Sequence, residues 1–327
     1  MRQKNVVNYA KWGYIFSIPF VVTFLIFLLY PLVYTAFIGF TNLQGMASMM
    51  PDFKMKILDQ PFDNFISMLN NNAFRVSLSN TFKIWIMNFI PQMVLALLLT
   101  AWFTNQRYKF KGMGAFKVLF YMPNIITAAS IAILFFVLFS YPAGPVNQML
   151  VRFGILEQPH NFMVDGNASQ MIVAFIQFWM WYGYTMLIFI SGVLGLNPSM
   201  YEASEIDGAS SVQQFFYITL PNLRTIIIFV LISSLVGGLN MFDIPRLFNN
   251  GMPGYATSTM SFFIYNQAFA GSYLYNRAAA ASMMVFLIIA VLSAIIFFVL
   301  RDGDSKSESK LEKGARKAIK KAGGMQV

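Results

Sequence analysis

Residues 201–222 read YEASEIDGASSVQQFFYITLPN, and they set Glu202, Glu205 and Asp207 close together between two long apolar segments. Carboxylates at such spacing can exchange protons, hold a metal or dock onto a basic partner. The first two uses need company that this chain does not supply. It has no cysteine, and its one histidine, His160, stands far off with no grouped carboxylates around it. No serine–histidine or paired-carboxylate constellation suits a cleft, so the chain is not expected to be an enzyme. A phosphate loop is missing too, because FKGMGAFK at 110–117 lacks the G-x-x-x-x-G-K-[ST] spacing. No cofactor is expected in the chain, which should not hydrolyse ATP itself.

Docking remains, and the local grammar suits it. Ser199 followed by Glu202 fits a capping box, preceded by Pro198, and Ser211 followed by Gln214 fits a second. Gly208 allows a tight turn or a close backbone approach. Pro221 is expected to end the second helix. Phe215, Phe216, Ile218 and Leu220 give that helix apolar surface, and the carboxylates give the first an acidic end. A compact acidic knob with a hydrophobic back suits a groove on another protein. A plain solvated connector is the other reading, and composition does not choose between them.

A second set of residues lies inside apolar runs. QFWMWYGYTM at 177–186 offers Gln177, Trp181 and Tyr184, and GGLNMFDIP at 237–245 offers Asn240, Phe242 and Asp243. Amides, a carboxylate and aromatic faces in an apolar setting suit a neutral, hydroxyl-rich ligand. Polar groups in a membrane are costly unless they face a cavity or a partner. Each residue also has an ordinary reading: Trp and Tyr are common at membrane interfaces, and Asp243 fits the outer end of a helix. Lys83 is a cation inside an apolar run. It either snorkels, pairs within a bundle, or serves an anionic ligand.

The elements that position these residues are membrane spans. The chain is 57% hydrophobic and 11% charged, whereas soluble domains carry about 25% charge. A spanning helix needs about 20 mainly apolar residues, and the sequence gives six such runs, near 13–40, 78–103, 118–140, 169–194, 223–244 and 278–300. The first run follows Arg2, Lys4 and Lys11, is too long for a signal peptide and lacks a small-residue cleavage site. Pro19, Pro31 and Pro91 should bend helices or mark their ends. Lys and Arg gather at the N-terminus, at Arg107, Lys109, Lys111 and Lys117, at Arg224, and in the tail from Lys306 to Lys321. The positive-inside rule then puts both termini and residues 195–222 in the cytoplasm. It also accounts for the net charge of +10, with the tail as a solvated or lipid-facing surface. Nucleic acid is not an expected partner, since no recognition motif accompanies the charge. The external segments 41–77, 141–168 and 245–277 are either docking loops or connectors.

Glu202-Ala203-Ser204, then Asp207-Gly208-Ala209, then Phe216, Ile218, Leu220 and Pro221 resemble the EAA loop of permease subunits in binding-protein-dependent ABC importers. Ser204 departs from the family's commonest alanine, and Arg224 and Thr225 stand where a second proline is frequent. FSIPFVVTFLIFLLYPLVYTAFIGFTN, VLFYMPNIITAASIAILFFVLFSYPAGPVNQMLVRFG and NMFDIPRLFNNGMPGYATSTMSFFIYNQAF are similar to its sugar branch, the MalF/LacF/MsmF/UgpA-like permeases. Gly251-Met252-Pro253 alters the usual glycine-glycine-proline there.

The resemblance implies an all-α, polytopic, type I importer permease. Residues 1–12 would be a cytoplasmic N-terminus, 13–300 the transmembrane domain with its coupling loop at 199–221, and 301–327 a basic cytoplasmic tail. Glu202, Ala203, Ser204, Asp207, Gly208, Ala209, Phe216 and Pro221 would seat in a homodimeric or heterodimeric ABC ATPase that uses ATP and Mg. Glu202 would face a basic group there, and Gly208 would permit close approach. The long tail marks a MalF-like half, paired with a second, MalG-like permease and an extracellular solute-binding protein in a bacterial cell membrane. The implied cargo is a sugar or oligosaccharide, passing Gln177, Trp181, Tyr184, Asn240, Phe242 and Asp243. A permease for glycerol phosphate or a polyol stays open, as does an ion-coupled secondary transporter, although six spans without paired repeats speak against the latter.

Overall fold

The computed structural model describes residues 10–45, 50–105, 111–271 and 273–323, the side chains of 302–323 excepted. Arg2, Lys4, Arg107 and Lys109, and the side chains of Lys306–Lys321, lie outside the described residues, so the charge asymmetry is only partly in view. The described chain is helical, with one isolated antiparallel bridge between Thr41 and Ile57. It divides into two units, Met1–Asn71 with Ile264–Met284, and Asn72–Phe263 with Val285–Val327.

In the first unit, α1 (Ala10–Phe24) runs through one wide π turn, Leu25–Leu29, into α2 (Tyr30–Ile38). Pro31 sits in the first turn of α2, where a missing N–H is harmless. From Lys11 to Ile38 no residue is buried. An apolar helix bare on every side needs lipid or another helix around it. Below it, the short helix α3 (Asp63–Asn70) is tied by a buried amide knot. Asn64 Nδ2 donates to the Gly39 and Thr41 carbonyls at 2.9 and 3.0 Å, and Asn276 Nδ2 reaches Asn64 Oδ1 at 3.0 Å.

The second unit holds the long helices α4 (Asn72–Phe103) and α8 (Gly166–Leu194) packed along one another. Between them come α5 (Met113–Ile125), α6 (Ala128–Leu138) and α7 (Pro145–Arg152); α9 (Pro198–Ile206), α10 (Ser211–Gln214), α11 (Leu220–Asn222), α12 (Arg224–Leu239) and α13 (Asp243–Asn249) follow. In chain order α14 (Met260–Phe269) and α15 (Tyr275–Gly323) follow, each with residues in both units. Among the described residues, four helices are long and apolar enough to cross a membrane, or six if each of two bent pairs counts as one span.

Two of the expected runs contain sharp bends or breaks. The run 118–140 is two helices meeting at 88°, broken at Ile126 and Thr127. Thr127 caps the second by accepting from Ser130 N at 3.2 Å. Within 223–244 the helix ends at Leu239.

The first part of 245–277, expected as a docking loop or a connector, packs into the second unit. Ile244 and Phe248 of α13 are buried against Ile84, Ile131 and Phe135. The chain that follows turns inward: Ser258 bonds Ser77 at 2.9 Å, and the Met260 N–H donates to Thr81 Oγ1 at 2.9 Å. Asn80 Nδ2 holds the Tyr255 carbonyl at 2.7 Å, and Gln170 Nε2 holds Asn80 Oδ1 at 2.9 Å. A buried amide or carbonyl left unpaired is costly, so these bonds fix the segment firmly against α4 and α8.

Candidate functional site

One cavity of about 300 Å³ opens in the second unit, walled by α4, α8, α12 and the residues after α12. Gln177, Trp181, Tyr184, Asn240, Phe242 and Asp243 all lie on it. The structure thus brings together two stretches some sixty residues apart in the chain. Trp181 and Tyr184 meet edge to face, with centroids 5.7 Å apart at 87°, and are 42% and 40% exposed. Such aromatic surface can stack against the C–H face of a sugar ring.

The far wall is a broken helix. Asn240 stands at the C-terminus of α12 and its Nδ2 donates to the Val236 carbonyl at 2.8 Å. Met241 and Phe242 leave helical geometry, and Asp243 opens α13. Asp243 is therefore in the first turn of a new helix, not at the outer end of the old one. Phe242 carries Arg246 over its ring at 5.3 Å. Discontinuous helices of this kind place backbone polar groups at a transport site.

Sequence reasoning missed part of the wall: Asn88, Gln92, Thr185, Ser233 and Ser234 also line it. Gln92 Nε2 donates to Thr185 Oγ1 at 2.8 Å, so the two helices share a buried polar link. Trp85 Nε1 donates to Ser234 Oγ at 3.1 Å, joining α4 to α12. Gly238 makes that contact possible, since a Cβ there would lie 2.1 Å from Trp85 Cδ1. Asn88 and Gln92 sit four apart on one helical face, a signal the sequence did carry. Lys83 is exposed on α4 and lies off the wall. Among the residues of the wall, Asp243 is the one with a charged side chain.

The acidic stretch forms a second feature. Asn197, not Ser199, caps α9, accepting from Ser199 N at 3.1 Å. Pro198 then takes the first helical position, which it suits. The second capping box is Ser210 with Gln213, one residue earlier than expected, with bonds of 3.3 and 2.7 Å. Both serine–glutamine pairs fit the sequence rule. The choice falls on the first because Gln214 turns inward to Ser204 Oγ at 2.9 Å. Pro221 does not end the helix. A π turn, Phe215–Thr219, leads into α11, and the break comes at Leu223, where the chain bends by 67° into α12.

Gly208 sits at φ +79°, and an added Cβ would meet nothing within 4 Å. Its role within the chain is the turn. Glu202, Ala203, Glu205 and Asp207 are exposed, as are Ile206, Phe216 and Tyr217. Phe215, Ile218 and Leu220 are half-buried. The stretch thus presents carboxylates and large apolar groups side by side to its surroundings.

The family model for the binding-protein-dependent transport system inner membrane component matches residues 65–302. The chain belongs to this family. That match runs through the cavity, the acidic stretch and every helix from α4 onward to residue 302. This inner membrane component is thus a polytopic transport protein and not an enzyme. It is 29% identical over 292 residues to the lactose transport system permease protein LacF of Rhizobium radiobacter, covering 89% of this chain and 94% of that one. It is also 29% identical to the arabinooligosaccharides transport system permease protein AraP of Bacillus subtilis (strain 168), covering 86% of each. Its fold matches a chain in the crystal structure of a bacterial ABC transporter involved in the import of the acidic polysaccharide alginate. There the TM-score is 0.73 at 22% identity, over 89% of this chain and 96% of that one.

Proposed function

We propose that this inner membrane component is one permease half of an ATP-driven importer for a neutral sugar, most simply an oligosaccharide. It forms the pathway with a second permease. The observation that carries the cargo class is the wall of the cavity. Amides at Asn88, Gln92, Gln177 and Asn240, hydroxyls at Tyr184, Thr185, Ser233 and Ser234, and the Trp181–Tyr184 pair match a polyhydroxylated ring. One carboxylate, Asp243, and no lysine or arginine on the wall oppose a phosphate or a uronate. With Lys83 off the wall, a glycerol phosphate cargo loses the cation it would need. The lactose and arabinooligosaccharide names of two relatives fit this reading.

In this reading six spans cross a bacterial cell membrane with both termini inside. Residues 197–222 face the cytoplasm and seat in an ATPase partner, with Glu202, Ala203, Ser204, Asp207, Gly208, Ala209, Phe216 and Pro221 in the contact. ATP and Mg act in that partner, and an extracellular solute-binding protein delivers the cargo. Closure of the ATPase moves the loop, the loop moves α12, and α12 reshapes the cavity wall it carries. The test is isolation of the complex from its native membrane. The expected set is an ATPase, a second permease and a binding subunit holding a neutral sugar. Labelling of Glu202 from outside the cell, or uptake by this chain alone in proteoliposomes, would overturn the reading.

A further inference from the structure

Two hydrogen-bonded links cross the turn at Gly208, and they close on each other. Gln214 Nε2 donates to Ser204 Oγ at 2.9 Å and approaches the Tyr201 carbonyl at 3.5 Å. Ser204 Oγ donates to that same carbonyl at 2.7 Å. The Tyr201 hydroxyl lies 2.9 Å from Thr219 Oγ1. Gln214 is 9% exposed and Thr219 4%, whereas Gln213, Phe216 and Tyr217 around them are exposed. A buried polar group keeps its place through the bonds it makes.

At the turn itself, Ile206 and Val212 are exposed and the space around Gly208 is open. A left-handed glycine in open space is a natural swivel. The π turn favours the polar links. Five residues of ordinary helix would leave positions 214 and 219 about 140° apart. The wide turn at Phe215–Thr219 narrows that angle, so both side chains reach α9. Such turns recur at functional sites.

We propose that Ser204 and Gln214, closed by Tyr201 and Thr219, are positioning residues that weld α9 to the helix leading into α12. Force on α9 then turns α12 instead of flexing the chain at Gly208. The inference rests on the reading of residues 197–222 as the ATPase-docking loop. It adds that the loop transmits motion through a polar clasp inside this chain.

The absence of cysteine allows labelled pairs to be introduced cleanly. Spin labels at Met200→Cys and Leu231→Cys, one on α9 and one on α12, are read in the intact complex with and without a non-hydrolysable ATP analogue. The expected parent result is one narrow distance, unchanged by the analogue, because both helices move together. Gln214→Leu and Tyr201→Phe should broaden the distribution about two-fold and make it respond to the analogue. Thr219→Ser, which keeps the hydroxyl that meets Tyr201, should behave as the parent. A purely structural role would lower the yield of complex without creating a nucleotide response. Should Gln214→Leu fail to assemble, Tyr201→Phe decides. Co-isolated ATPase with a distance as narrow in Tyr201→Phe as in the parent overturns the clasp. Failure of the parent chain to hold an ATPase overturns the docking reading instead.

Discussion

Gly238→Ala should destabilise the second unit, while its neighbour Gly237→Ala should not. The two glycines are adjacent on α12 and both border the cavity. A Cβ on Gly237 meets nothing within 4 Å, whereas one on Gly238 lies 2.1 Å from Trp85 Cδ1 and 2.8 Å from its Cγ. Atoms in ordinary contact stand about 3.5–4.0 Å apart, so the indole or the helix must shift by well over an ångström. The indole is pinned by its bond to Ser234 Oγ at 3.1 Å and by stacking on Phe89 at 5.4 Å. Overpacking of this kind costs about 1–3 kcal/mol, and loss of the indole bond adds about 1 kcal/mol. Helix propensity returns about 1 kcal/mol to either substitution. The net expectation is about 1–3 kcal/mol lost for Gly238→Ala and up to about 1 kcal/mol gained for Gly237→Ala. Thermal unfolding of the detergent-solubilised protein followed by tryptophan fluorescence measures both. Adding Trp85→Leu to Gly238→Ala should recover part of the loss, because the obstructing ring is gone. Equal stability of the two single variants would refute the close approach of α4 and α12.

Gly208→Asp should still insert, since its Cβ has room, but a residue with a side chain at positive φ costs about 1–2 kcal/mol. ATPase co-purification and uptake should fall sharply, and normal values for both would remove the docking assignment. Asp243→Asn should leave uptake of a neutral sugar within several-fold of wild type and let an anionic analogue compete better. Unchanged exclusion of the anion would show that Asp243 does not set the charge preference. Asp165 caps α8 through the Ala168 and Asn167 amides at 3.1 and 2.9 Å and lies 3.4 Å from His160 Nε2. The Ala168 amide bond, followed by the Asn167 bond and the His160 side chain, outweighs desolvation and holds its carboxyl below the ordinary 3.8. The cap should therefore act fully above pH 3.8 and be lost as pH falls through the depressed value. The stability difference between wild type and Asp165→Asn should be present above pH 3.8 and vanish as pH falls through the depressed value. A difference that persists unchanged below that value would contradict this.

Polar residues set in apolar runs were readable because the surrounding sequence made them expensive. Gln177 and Asn240 stand out for that reason, and the tertiary structure puts both on one wall. Gln92 is more deeply buried than either, but its partner Thr185 belongs to another helix, so its value depends on a pairing no local window contains. The same holds for the cap of α10. Ser210–Gln213 and Ser211–Gln214 are equivalent in the sequence, and the choice is made by Ser204 across the turn. Hydropathy counts apolar residues and is blind to direction, so the 88° bend after Ile125 left no mark in it. The segment 250–260 has the composition of a solvated loop. Its hydroxyls are buried because each finds a partner: Ser258 meets Ser77 on α4, Thr257 Oγ1 donates to Asn249 Oδ1, and Thr259 Oγ1 donates to the Met241 carbonyl.

Helix α12 runs for 16 residues between the 67° bend at Leu223 and the break at Asn240. At about 1.5 Å per residue that is a rod of about 24 Å. Its near end continues from the π turn and α11, and its far end carries Ser233, Gly237 and Asn240 on the cavity wall. A tilt of about 10° about the near end would sweep Asn240 through about 4 Å. A crank of this length turns a small nudge at the foot into an opening at the head, with every backbone bond of the rod left intact.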